Sequence, residues 1–364
     1  MAAASTSGRM PAWAWAWPLA AWIVLAAIKL GGFAGAAATA AEAVFLIGTV
    51  FAAVYHAEVV AHRVGEPFGT LVLALAVTVI EVALIVSVML AGGPGARTLA
   101  RDTVFAAVMI ILNGLVGMSL LIGGIFHREQ ELQARGASAA LAVLAAMLTL
   151  CLVLPNFTIG APGPEYTEPQ LGFAGAVSLV LYCAFVFVQT VRHRDYFLPE
   201  GEGDEESHAS PPSGRAALAS LGLLLLALVA VVGLAKALTP AVDAAVAGLG
   251  APKAVVGIVI AAVVLLPEGL AALRAARHNR LQTSMNLALG SALASIGLTI
   301  PAVAAVSIVL DVPLALGLGG KEEVLLVLTL VVSVITLGTG RTTVLQGVVH
   351  LVILSGFLFL AVFP

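Results

Sequence analysis

Long apolar runs follow one another along almost the whole of this chain, broken only by short clusters of charge, proline and glycine. They lie near 12–31, 34–60, 67–92, 103–126, 137–155 and 171–191. After a polar, acidic stretch from Arg192 to Arg215 they resume near 215–239, 253–275, 282–310, 322–338 and 342–363. A helix needs about 20 mostly apolar residues to cross a bilayer, and these runs meet or approach that length. Composition agrees: 61% of the 364 residues are hydrophobic, and only 17 basic and 20 acidic residues are available to face water. Ordinary soluble domains carry roughly a quarter of their residues charged, so a water-exposed globular enzyme is excluded. The net charge of −3 leaves no basic footprint for nucleic acid. The expected fold is an all-α integral membrane protein with about eleven transmembrane helices, embedded in the lipid bilayer.

The runs group as a leading helix within residues 1–33, a five-helix block over 34–191, an acidic linker over 192–214 and a second five-helix block over 215–364. Trp13, Trp15, Trp17 and Trp22 mark the first helix as retained and anchored at the membrane interface. Orientation follows from the loops. With the N-terminus in the cytoplasm, eleven basic residues lie inside (Arg9, Arg63, Arg128, Arg135, Arg192, Arg194, Arg215, Arg274, Arg277, Arg280 and Arg341) and five outside (Lys29, Arg97, Arg101, Lys253 and Lys321). That bias predicts N-in, C-out. Lys236 is placed near a helix end, where it can snorkel.

Two glutamates stand out. Glu81 and Glu268 each fall mid-run, in the second helix of a five-helix block. An ionised carboxylate at such a depth costs at least ~2.5–3.5 kcal/mol. The surrounding segments, VLALAVTVIEVALI over 72–85 and VIAAVVLLPEGLAA over 259–272, match at Val72, Ala74 and Val77 against Val259, Ala261 and Val264. A block of five helices inverts its second copy across the membrane, and inverted repeats with a midplane site are a common plan of secondary transporters. The repeat axis is then expected to bring the two carboxylates face to face, where they share either protons or a cation. Hard cations take oxygen ligands, and the same oxygens bind protons, so the two compete.

Supporting groups are at hand. Thr78 lies one turn before Glu81 on the same helical face. Pro267 precedes Glu268 and lacks a backbone donor, which frees the Val263 carbonyl and lets the helix loosen. The next helices carry Asn113–Gly114 and Gly290–Ser291; Asn113 and Ser291 supply neutral oxygens, and the glycines allow close helix packing.

The segments GEPFGTLVLALAVTVIEVALIVSVML and NGLVGMSLLIGG, with VVLLPEGLAALRAARHNRLQTSMNLALGSALASIGLTIP, resemble the two alpha repeats of the calcium/cation antiporter superfamily, most nearly its cation/proton exchanger branch. The resemblance covers nearly the whole chain. It implies that Glu81 and Glu268 are the paired repeat glutamates and metal ligands, and that Asn113 and Ser291 are the polar residues of the following helices. It implies Ca2+/H+ exchange, with Na+ or K+/H+ exchange on the same site as the alternative. No cofactor is implied; the partners are inorganic cations and protons. Many exchangers of that branch carry a Gly-Asn pair four and three residues before each glutamate. Here those positions are Val77–Thr78 and Val264–Leu265, so two amide ligands are missing and the door is open to monovalent ions.

Other polar residues have weaker readings. Asp195, Glu200, Glu202, Asp204, Glu205 and Glu206 read as a solvated tether or a calcium-attracting element. His350 reads as hydrogen-bonded packing or as a proton relay. His56, Glu58 and His62 are placed at the interface, or at a proton entrance. Cys151 and Cys183 read as small buried hydrophobes. There is no HExxH, GxSxG or P-loop motif in the sequence, which argues against an intramembrane enzyme. A channel would draw its ring of ligands from oligomer symmetry, whereas this chain carries its own repeat.

Overall fold

The computed structural model describes residues 10–31, 35–65, 68–91, 95–198, 212–248, 250, 252 and 254–363. Its described residues form eleven long helical stretches: α1 (Ala12–Lys29), α2 (Ala36–Val64), α3 (Phe68–Ala91), α4 (Leu99–His127), α5 (Ala134–Phe157), α6 (Glu168–Arg192), α7 (Gly214–Gly248), α8 (Ala254–Arg277), α9 (Leu281–Leu310), α10 (Gly320–Gly338) and α11 (Val344–Val362). Among the described residues, nine of these are long and apolar enough to cross a membrane. The other two are α3, which contributes the shorter apolar stretch Ala74–Ser87, and α10, which opens on Lys321, Glu322 and Glu323. The acidic residues Glu200, Glu202, Asp204, Glu205 and Glu206 lie outside the described residues, as do Arg9 and Lys253.

Local chemistry sets the helix ends. Thr167 and Gln170 form a reciprocal capping box at the start of α6, and Thr343 and Gln346 do the same for α11, each pair satisfying backbone donors that a helix start leaves open. Asp311 ends α9 in the left-handed region, with φ 51°. One boundary differs from expectation: α7 continues through Pro240 to Gly248 rather than stopping at 239. The alanine-rich residues beyond the proline sustain the helix, which loses one backbone bond. Lys236 therefore lies inside α7, not near its end.

Two compact units cut across the order of the chain. One is Met1–Ser87 with Gly203–Leu249; the other is Val88–Glu202 with Gly250–Pro364. In the first, α2 packs along α1 and α7. Trp13 and Trp17 make edge contacts with Tyr55 and Phe45 of α2, and the Trp22 indole donates to the Leu226 carbonyl at 3.1 Å. Three of the four tryptophans thus tie α1 to its neighbours, although Trp22, like Trp15, remains exposed. His56 is buried and donates to the Ala14 carbonyl at 2.9 Å, so it belongs to the α1–α2 contact rather than to the interface.

In the second unit α9 packs against α4, α5, α6 and α8. The α4–α5 and α10–α11 connections pair as short antiparallel strands, β1 (Gln130–Glu131) and β2 (Arg341–Thr342). At the opposite helix ends the α5–α6 and α9–α10 connections meet in a bridge between Glu165 and Ala315. The buried core is largely apolar, but α10 turns polar side chains inward. On α10, Thr329, Ser333 and Thr336 are buried while Val324, Val327, Val331, Val334 and Ile335 are exposed. That is the arrangement of a helix whose outer face meets lipid and whose inner face hydrogen-bonds to neighbours. Cys151 is buried, as expected, but Cys183 is exposed.

Candidate cation site

Glu268 sits just past the middle of α8, directly after Pro267, in a helix that runs unbroken from Ala254 to Arg277. The proline is buried and the glutamate half-buried. Opposite it on α9, the Ser291 hydroxyl donates to Glu268 Oε2. Two residues chosen from different parts of the sequence are therefore in direct contact. Beside Ser291, Gly290 faces open space: a Cβ there would meet no heavy atom within 4 Å. Gly290 also borders a small pocket of about 10 Å³ that Gln189, Gln282 and Asn286 line with amide groups.

Asn113 occupies a π-helical turn of α4, Ile110–Leu115. Such turns widen the helix by one residue and are frequent at functional sites. The side chain is wholly buried. Its Nδ2 donates to Thr329 Oγ1 of α10 at 2.9 Å, and His350 Nδ1 of α11 lies 3.3 Å from its Oδ1. This turn packs against the Glu268 region of α8: a Cβ at Gly269 would lie 3.3 Å from Leu115 Cδ1. Further along α4, Ser119 accepts from the Ser284 hydroxyl at 2.9 Å, joining α9 to α4.

Glu81 and Thr78 belong to the first unit, on α3, where both are buried with Val77, Ile80, Leu84 and Ile85. Thr329 is a site neighbour that the sequence did not single out, whereas His350, expected as hydrogen-bonded packing or a proton relay, is hydrogen-bonded to Asn113. The only sequence signal for Thr329 is polarity in an apolar run, which many lipid-span residues share. The glycines behave unequally. Gly114 makes an ordinary contact with Leu354, its Cβ position 3.4 Å away, whereas the closest backbone approach between α4 and α11 is at Gly117 and Gly347.

The sodium/calcium exchanger protein family model matches residues 35–191 and 219–363, most of the chain. The chain belongs to that family. Its members are secondary cation transporters, so this is a multi-pass membrane antiporter and not an enzyme. A Sinorhizobium fredii protein named as an ionic transporter, y4hA, is 53% identical over 365 residues, 98% of each chain. The sodium-potassium/proton antiporter ChaA of Escherichia coli is 36% identical over 316 residues, 86% of this chain and 85% of its own. Among solved structures the Ca2+/H+ antiporter YfkE superposes with a TM-score of 0.71 at 17% identity, covering 96% of this chain and 99% of that one. The H+/Ca2+ exchanger CAX gives 0.68 at 16% identity, over 94% and 87%. These two likenesses establish the shared fold.

Proposed function

We propose that this chain is a cation/proton antiporter of the plasma membrane that exchanges Ca2+ for protons. Glu81 and Glu268 alternately hold the cation and the protons, with Thr78, Asn113 and Ser291 adding neutral oxygens. The observation that carries the proposal is the Ser291–Glu268 hydrogen bond, which holds a carboxylate poised inside a membrane-length helix. A charge at that depth is costly, and a carboxylate kept there despite the cost points to a functional role. Two carboxylates that release two protons for one Ca2+ stay neutral in both loaded states. Alternating access follows if α2 and α7 slide or tilt to open one side at a time.

The inverted-repeat reading supports this. The family model matches in two stretches, one on each side of the acidic linker. Exchanging the two five-helix blocks would also convert the β1–β2 pairing into the Glu165–Ala315 bridge, since each joins the connections that the exchange swaps. Orientation is read as N-in, C-out from the basic residues.

A second reading, Na+ or K+ for protons, is favoured by Val77–Thr78 and Val264–Leu265, which remove two amide oxygens from a site where Ca2+ wants six or more ligands. The 36% identical Escherichia coli relative, a sodium-potassium/proton antiporter, points the same way. Proteoliposomes with an acid interior and a pH-sensitive dye decide between them. Dequenching by Ca2+ is the expected result. A response to Na+ or K+ alone establishes the second reading, and silence with every cation overturns both. Counterflow of labelled against unlabelled ion excludes a channel. Glu81→Gln and Glu268→Gln should each abolish coupled transport, and a variant with full activity removes that residue from the mechanism.

A further inference from the structure

We infer that His350 is a positioning residue of the cation site: with Thr329 it fixes which way the Asn113 amide points. The inference rests on the reading of Asn113 as part of that site.

A buried amide presents two donors and an acceptor oxygen, and turning it by half a revolution exchanges them. Here Asn113 Nδ2 donates to Thr329 Oγ1 at 2.9 Å, and the Thr329 hydroxyl donates onward to Met109 Sδ at 3.5 Å. Asn113 Oδ1 can only accept, so His350 Nδ1, 3.3 Å away, carries the proton between them. The donors thus run one way, from His350 to Asn113 to Thr329 to Met109. His350 Nε2 is then an unprotonated nitrogen without a hydrogen-bond partner in its buried position. The Leu112 carbonyl also accepts from the His350 ring, so turning the amide would either set its NH2 against a ring N–H already held there or drive that proton to Nε2 and leave it a buried, unpartnered donor, which costs on the order of 1–3 kcal/mol.

The backbone is built to admit this ring. Gly117 stands one turn beyond Asn113, and a Cβ on it would come 2.9 Å from His350 Cβ and 3.2 Å from the Gly347 carbonyl oxygen. A side chain at either glycine would push α11 outward and withdraw the imidazole. With the ring in place, the second lone pair of Oδ1 is aimed and available to a cation. Without it the amide is free to turn its NH2 toward the ion, which repels it.

Cation KM and maximal rate in proteoliposomes test this, with Ca2+, Na+ and K+ each used as probe. His350→Leu removes the donor and should raise KM about tenfold, with the maximal rate held within about twofold. His350→Asn keeps an N–H near the Nδ1 position but cannot titrate; it should bring KM back to within about threefold of the parent and leave the pH profile unchanged. Thr329→Val, nearly isosteric, removes the second anchor and should raise KM as His350→Leu does; it decides the matter if His350→Leu fails to fold. An unchanged KM in the Leu and Val variants overturns the inference in favour of plain packing. Loss of transport in folded His350→Asn overturns it in favour of a proton relay. Asn113→Ala, measured in parallel, separates the two levels: if it leaves KM unchanged, the reading of Asn113 as a site residue fails. If it raises KM while His350→Leu does not, only the role of His350 fails.

Discussion

The Ser291 hydroxyl of α9 donates directly to the Glu268 carboxylate of α8, so the side chain that bears the charge is aimed by a neighbouring helix and not by its own. A hydrogen bond to a charged group contributes about 1.5–3 kcal/mol. Ser291→Ala should therefore raise the KM for the transported cation by about tenfold or more. Ser291→Thr, which keeps the hydroxyl, should stay near the parent value. Initial rates of proton-coupled uptake across a range of cation concentrations give both numbers.

Gly347 and Gly290 should respond oppositely to a larger side chain. At Gly347 a Cβ would lie 2.7 Å from the Gly117 carbonyl oxygen and 2.9 Å from Leu121 Cα, backbone atoms that cannot yield. Overpacking of this kind costs about 1–3 kcal/mol, so Gly347→Leu should lower the melting temperature in detergent. Gly290→Ala meets open space and gains helix propensity of about 0.5–1 kcal/mol, so it should melt no lower than the parent.

Tyr166, in the connection before α6, donates to the Leu150 carbonyl at 2.6 Å. That carbonyl lies in a second π turn, Thr149–Val153, where the helix leaves acceptors free. Burial, reinforced by Cys151, pushes the Tyr166 hydroxyl up to about 12. The unfolded chain loses this proton near pH ~10, so the contribution is complete below that pH and is lost as pH rises through about 12. Tyr166→Phe should destabilise by about 1 kcal/mol at pH ~8. The difference from the parent in thermal melts should shrink above pH ~10.

Arg97 and Arg128 lie in connections at opposite ends of α4. In a background with Cys151 and Cys183 replaced by serine, Arg97→Cys should react with a membrane-impermeant thiol reagent in intact cells. Arg128→Cys should react only after permeabilisation. The reverse pattern would invert the orientation read from the loop charges.

The helices were legible in the sequence because a bilayer punishes any exposed backbone or charge within its core, so spans must appear as long apolar runs and their ends as charge, glycine or a capping pair. Eleven runs became eleven helical stretches among the described residues, and the misplaced end of α7 arose because a proline removes one bond without stopping a helix whose flanks still favour it. Glu81 and Glu268 were legible for the same reason, since a carboxylate amid apolar residues has no cheap explanation.

What no run of letters could give was the choice of partner. Thr329 and His350 look in sequence like any polar residue of a membrane helix, free to bond to their own backbone. They meet Asn113 because α4 widens into a π turn at Ile110–Leu115 and because Gly117 and Gly347 let α11 close in. The sequence by itself determined that the chain crosses a membrane many times and must hold buried carboxylates there. The tertiary structure alone decided that Ser291 aims Glu268 and that Thr329 and His350 hold Asn113, because hydrogen-bond partners depend on the rotation and approach of helices to within a fraction of an ångström, and a periodicity of apolar residues constrains neither.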